Sequence, residues 1–216
     1  GVIYERRTGA PLESLPIAES GAPLVVLGHA HAEKAELLTC GIDDRAEARR
    51  LTAWMLARGV RRPLFLSPVE RGVDLCELRL EGFAEACREA GVDAPEQRVM
   101  IDSNAAALGE ALAGLLRTSA RPDGIFCAAS DVYRPALAAA ARVGLTAPGP
   151  DLRVASFSSV DLEDVNRLGL THLEFSFMEL GYRATKLLFD FIDGAVERPR
   201  REEIGRASCR ERVSCT

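Results

Sequence analysis

The sequence predicts an α/β protein built on parallel sheets flanked by helices. Three observations lead there. Short apolar, β-branched runs recur along the chain, longer segments carry apolar residues at helical spacing, and the two kinds alternate as repeated β-α units do. The 216 residues are 47% hydrophobic, 27% charged and only 6% aromatic, a globular mixture and not a low-complexity one.

In chain order, Val2–Tyr4 reads as a strand already in progress, with no capping or turn residue ahead of it. Pro23–Leu27 and Leu37–Gly41 are the next two strand-like runs. Arg45–Arg58 then places Ala48, Leu51 and Met55 on one helical face, the spacing of a helix lying on a sheet. Pro63–Leu66 is a strand, and Asp74–Ala90 a helix with Leu75, Leu78, Gly82, Phe83 and Ala86 along one side. A strand at Gln97–Ile101 and a helix at Ala105–Leu116, striped by Leu108, Leu112 and Leu115, come next. Gly124–Ala128 and Arg153–Phe157 are strands, separated by a helix over Asp131–Val143. Pro135 falls in the first turn of that helix, where early N–H groups have no helical partner to lose. The last helix, Phe177–Ile192, carries Leu180, Ala184, Leu187, Leu188 and Phe191 and closes at Gly194. Ligands of such sheets collect at the carboxyl ends of the strands, so function is expected in the loops after Leu27, Leu66, Ala128 and Phe157.

Several function classes are excluded. No run reaches the roughly 18 to 20 apolar residues of a membrane helix, so no membrane partner is expected. A formal net charge of -5 argues against a nucleic-acid surface on this chain, because such surfaces carry a basic excess. No GxxxxGK[ST] or GxGxxG run follows a strand, and no GxSxG elbow surrounds any serine. His29 and His31, two residues apart, would point to opposite faces of an extended segment, and no HExxH is present. Catalysis, metal and cofactor are therefore not expected. Cys40, Cys76, Cys87 and Cys127 sit singly inside predicted elements without CxxC spacing, which suits buried thiols in a reducing cytoplasm. From Ile204 to Thr216 the periodicity stops; this stretch, with Cys209 and Cys215, resembles an adapter-derived, non-native tail and is expected to make no ordered contact.

Four local patterns occur in a telling order. RLEGF spans Arg79–Phe83 on a helix, RPDGIFCAASD spans Arg121–Asp131, DLRVASFSS spans Asp151–Ser159, and LTHL at Leu170–Leu173 leads to the ELG of Glu179–Gly181 opening a long helix. This co-linear set, covering nearly all of residues 1–203, resembles the effector-binding core of the LacI and GalR family of transcriptional regulators, whose fold is the type I periplasmic-binding-protein-like one. The resemblance implies parallel sheets flanked by helices in two subdomains. Residues 1–40 would be what remains of an incomplete first subdomain holding two strands, 41–173 the second subdomain, and the helix over 177–194 would cross back to the first. The family's DNA-reading helix-turn-helix head would precede Gly1.

The resemblance also implies a binding site. Arg79 stands where the family has an arginine that forks onto ligand hydroxyls or carboxylates; the other reading is a surface arginine paired with a neighbour such as Glu77. Gly82 in the same motif would let the helix approach a strand closely. Ser130 replaces the family's usual Asn, Ser158 the Asp of its GFDD motif, and Phe175 falls near its frequent Gln. Asp131 is either the N-cap of its helix or a ligand contact, Asp74 either caps or reaches ligand, and Tyr133 would face the cleft. With its carboxylate acceptor lost, the site points to an anionic or flatter, more apolar effector than an ordinary sugar, or to a decayed pocket.

Two functions fit this reading. One is the ligand-sensing domain of a homodimeric cytoplasmic regulator that binds a sugar-like or anionic metabolite and reaches operator DNA only through the absent head. The other is a periplasmic solute-binding protein of a transporter, which shares the fold.

Overall fold

The computed structural model describes residues 1–5, 20–28, 37–67, 74–92, 105–130, 132–157, 167–204 and 208–210, with side chains left out at 74, 75, 105–107 and 208–210. The expected strand at Gln97–Ile101, His29, His31, Asp131 and Ser158 lie outside these residues. The elements run β1 (Val2–Glu5), β2 (Leu24–Leu27), β3 (Leu38–Gly41), α1 (Asp44–Ala57), β4 (Pro63–Leu66), α2 (Asp74–Glu89), α3 (Ala105–Leu116), β5 (Gly124–Cys127), α4 (Tyr133–Arg142), β6 (Arg153–Ser156), β7 (Thr171–Glu174), α5 (Phe177–Ile192), β8 (Arg200–Glu203) and β9 (Ser208–Arg210). They form two compact units. The first comprises Gly1–Asp43, Glu70–Glu77 and Ser176–Arg206, and the second Asp44–Val69, Leu78–Phe175 and Ala207–Thr216.

The first unit is a parallel sheet in the order β1-β2-β3-β8. Val25, Val26, Leu38 and Cys40 are fully buried in its two central strands, whereas β1 alternates half-buried and exposed as an edge strand does. Its four described strands correct the expectation of two: β3, foreseen as a strand, belongs to this sheet, and β8 joins it. The added β8, Arg-Arg-Glu-Glu, is all charge; an edge strand tolerates this and gains protection from stray pairing, so no apolar run announced it. Helix α5 packs on this sheet through Ala184, Leu187 and Leu188. Ser176 caps it, accepting the Glu179 N–H at 3.1 Å. The same helix exposes Phe177, Met178, Tyr182, Phe189 and Ile192.

The second unit orders its strands β4-β5-β6-β7-β9. The first four are parallel, and β9 pairs antiparallel with β7, Cys209 opposite Leu173. One face of the sheet carries a core of Leu64, Leu66, Ile125, Cys127, Val154, Leu112 and Ala136, with α3 and α4 packed together over it. Tyr133 is 3% exposed within this core, which corrects its assignment to a ligand-facing position. Asp123 accepts the Arg61 and Arg62 N–H groups at 2.8 to 3.0 Å and so ties the entries of β4 and β5 together.

The chain after Glu203 also departs from expectation. Ile204 is buried, its N–H donates to the Gly41 carbonyl at 2.9 Å, and Ser208–Arg210 form β9. Ordered backbone pairing therefore extends past the point where periodicity ends in the sequence.

Candidate functional site

The RLEGF motif lies on α2 with Arg79, Gly82 and Phe83 at i, i+3 and i+4, one face of the helix. Each position does a separate task. Phe83 packs 5.3 Å from Phe65 and 5.7 Å from Phe126, while Phe65 and Phe126 stack at 5.3 Å, centroid to centroid. Phe157 extends this aromatic set, 6.3 Å from Phe126. Gly82 lets α2 cross the backbone of α1: a Cβ there would stand 2.9 Å from the Arg49 nitrogen and 3.0 Å from the Arg45 carbonyl carbon. The close approach expected of Gly82 is thus to a helix and not to a strand. Ion pairs flank the crossing, Arg45 with Glu85 and Arg49 with Glu89 at 2.9 Å.

Arg79, one turn before Phe83, is the buried cation of this face. Its side chain is 11% exposed, which overturns the reading of a surface arginine paired with a neighbour such as Glu77. Nε donates to Asp44 Oδ1 at 2.7 Å, and Nη1 donates to the Ala128 carbonyl at 2.6 Å. The guanidinium carbon sits 4.0 Å above the Phe157 ring centre, in cation–π geometry. Asp44, the first residue of α1, is 2% exposed. Two buried charges of opposite sign in hydrogen-bond contact offset much of each other's desolvation, which either alone would bear in full.

The partners of Arg79 mark one edge of the second sheet. Ala128 follows β5 and Phe157 follows β6; Ser67 follows β4 and the half-buried Phe175 follows β7. All four strands are parallel, so these residues share the carboxyl edge where ligands of α/β sheets gather. Ser130 is exposed two residues beyond the carbonyl that holds Arg79. Asp74 begins α2, with its side chain outside the described residues, as are Asp131 and Ser158 entirely. The N-cap position of α4 is Val132, with no side-chain cap bond. Among the described residues no three His, Cys, Asp or Glu side chains cluster as metal ligands, and no helix is long and apolar enough to cross a membrane.

Sequence reasoning missed Asp44 and the role of Phe157. An acidic residue opening a helix reads as a partner of the helix dipole and gives no sign of an arginine 35 residues on. Burial pushes the Cys87 thiol, also on α2, up to about 11.

A family model for the periplasmic binding protein-like domain matches residues 52–215. The chain belongs to this family. It is 28% identical over 185 residues to the HTH-type transcriptional repressor CytR of Escherichia coli, an alignment covering 85% of this chain. The chain spans about half of that relative, 54% of its length. Among solved structures it resembles a LacI family transcriptional regulator from Mycobacterium smegmatis at TM-score 0.76 and 22% identity, covering 98% of this chain and 77% of that one. The complex of the transcriptional regulator CelR with cellobiose matches at TM-score 0.75 and 22% identity, covering 89% and 59%. At the edge around Arg79 of this periplasmic binding protein-like domain, a largely buried cation, an aromatic ring and strand-end loops converge.

Proposed function

We propose that the chain is the ligand-sensing domain of a transcriptional regulator. It holds a small polar effector at the carboxyl edge of the second sheet, encloses it between its two subdomains, and passes that closure to a DNA-binding head. The observation that carries this reading is the Arg79 guanidinium, fixed on Asp44, Ala128 and Phe157 at that edge. Ser130, Asp131, Ser158, Asp74 and Phe175 complete the proposed effector contacts. The three relatives described above are named as regulators, one of them as a repressor and another as a complex with cellobiose, which supports a regulator over a transport receptor, a sugar-like effector, and no enzymatic activity. We place the protein in the cytoplasm, as a homodimer that touches its operator only through the head.

The test is operator release by the intact regulator that carries this domain. A panel of monosaccharides, disaccharides including cellobiose, sugar acids and sugar phosphates is screened by fluorescence anisotropy on labelled operator DNA. At least one member is expected to change operator affinity tenfold or more. Operator binding that no member of the panel alters, or a domain that none of them stabilises in a thermal-shift screen, would overturn the sensing role.

A further inference from the structure

We propose that Asp44 is a positioning residue which holds Arg79 and cancels its charge, so that this edge selects an uncharged, hydroxyl-bearing effector over a carboxylate or phosphate. The proposal rests on the reading of Arg79 as an effector contact and adds the effector's charge class.

The geometry comes first. A guanidinium has five N–H donors. In Arg79 the Nε–H is taken by Asp44 at 2.7 Å and one Nη1–H by the Ala128 carbonyl at 2.6 Å. The Phe157 ring, 4.0 Å away, covers one face. What these contacts leave is the outer edge, with the Nη2 donors and the second Nη1 donor, held in one orientation by a carboxylate, a carbonyl and a ring.

Charge comes next. Asp44 is 2% exposed and Arg79 11%, so solvent screens the pair poorly and each ion feels the other strongly. An anion arriving at the remaining donors meets a guanidinium that is already bonded to a buried carboxylate. The attraction of the cation is offset by the repulsion of the anion, while the incoming charge still loses its hydration. A hydroxyl keeps the hydrogen bonds to the fixed donors and carries no charge to desolvate. The replacement of family acceptors by Ser130 and Ser158 suggested a site emptied of carboxylate; Asp44 supplies one from a different element, α1.

Inorganic phosphate is the probe, titrated calorimetrically into the wild-type chain, D44N and the double variant D44N/R79Q. Removing the negative charge while keeping the side-chain shape should raise phosphate affinity at least tenfold in D44N, and the double variant should lose that gain. The Arg79 Nε–H resonance, identified by its loss in R79Q, should be protected in the wild type and exchange rapidly in D44N. Should D44N not give a folded circular-dichroism spectrum, D44S is carried through the same titrations with the same expectation. A wild type that binds phosphate as tightly as the variant overturns the proposal. So does a D44N that melts lower yet gains no phosphate affinity, which would make Asp44 structural only. These results stand apart from the sensing role: a phosphate gain in D44N with undiminished operator release in R79Q would refute Arg79 as the effector contact and leave its compensation by Asp44 intact.

Discussion

Adding one methyl group at Gly82 tests the packing that carries Arg79. The Cβ of Gly82→Ala would lie 2.9 Å from the Arg49 nitrogen and 3.0 Å from the Arg45 carbonyl carbon, with the Arg45 oxygen nearer still. Ordinary contact is about 3.5–4.0 Å, so α1 and α2 must part by roughly 1 Å. Overpacking of this kind costs about 1–3 kcal/mol. The atoms in the way are helix backbone and cannot rotate aside, which puts the cost at the upper end. Better helix propensity returns about 1 kcal/mol, leaving a net loss of about 2 kcal/mol. Gly114, on α3, is the control, because a Cβ there meets nothing within 4 Å; Gly114→Ala should gain about 0.5–1 kcal/mol. Urea unfolding followed by the fluorescence of Trp54, the single tryptophan and a residue of α1, reads both. A Gly82→Ala midpoint equal to or above that of the wild type would refute the close helix crossing.

The other predictions concern buried groups. Ser156 is fully buried and its hydroxyl has no partner among the described residues, so Ser156→Ala should leave stability unchanged or raise it by about 1 kcal/mol; a loss above 1 kcal/mol contradicts this. Ile204→Ala should cost about 2 kcal/mol in the same urea assay, because that side chain is 6% exposed; no change would restore the expectation of an idle tail. Burial, aided by Glu202, pushes the Cys40 thiol from 9.0 up to about 11, and burial alone does the same for Cys87. The folded state therefore keeps both protons after the unfolded chain has lost them, so stability is full below pH 9 and falls as pH rises towards 11. The variant C40A/C87A should flatten that alkaline decline, and an unchanged slope would show that other groups cause it.

The legible part of the fold was its interior. The apolar runs at Val25–Val26, Ile125–Cys127 and Val154–Ala155, and the stripe Ala48, Leu51, Met55, bury as their spacing requires, because periodicity records which face meets the sheet. Strands β8 and β9 carry no such record, since edge pairing is made by backbone groups and leaves side chains free to be charged. At the site, the motif drew attention to Arg79 and Gly82. The hydrogen bonds that orient the arginine come from Asp44 and the Ala128 carbonyl, 35 and 49 residues away, which no local pattern links. A carbonyl has no residue identity to read. Tyr133 was misplaced because an aromatic in the first turn of a helix is equally suited to core and ligand until the neighbouring α3 is in position.

The central claim is that Arg79 anchors the effector. Its most direct test is calorimetric titration of the wild type and R79Q with the panel member that releases operator. Each charge-assisted hydrogen bond is worth about 1.5–3 kcal/mol, so R79Q should bind at least tenfold more weakly with an unchanged circular-dichroism spectrum. Equal affinity in the two proteins would contradict the account.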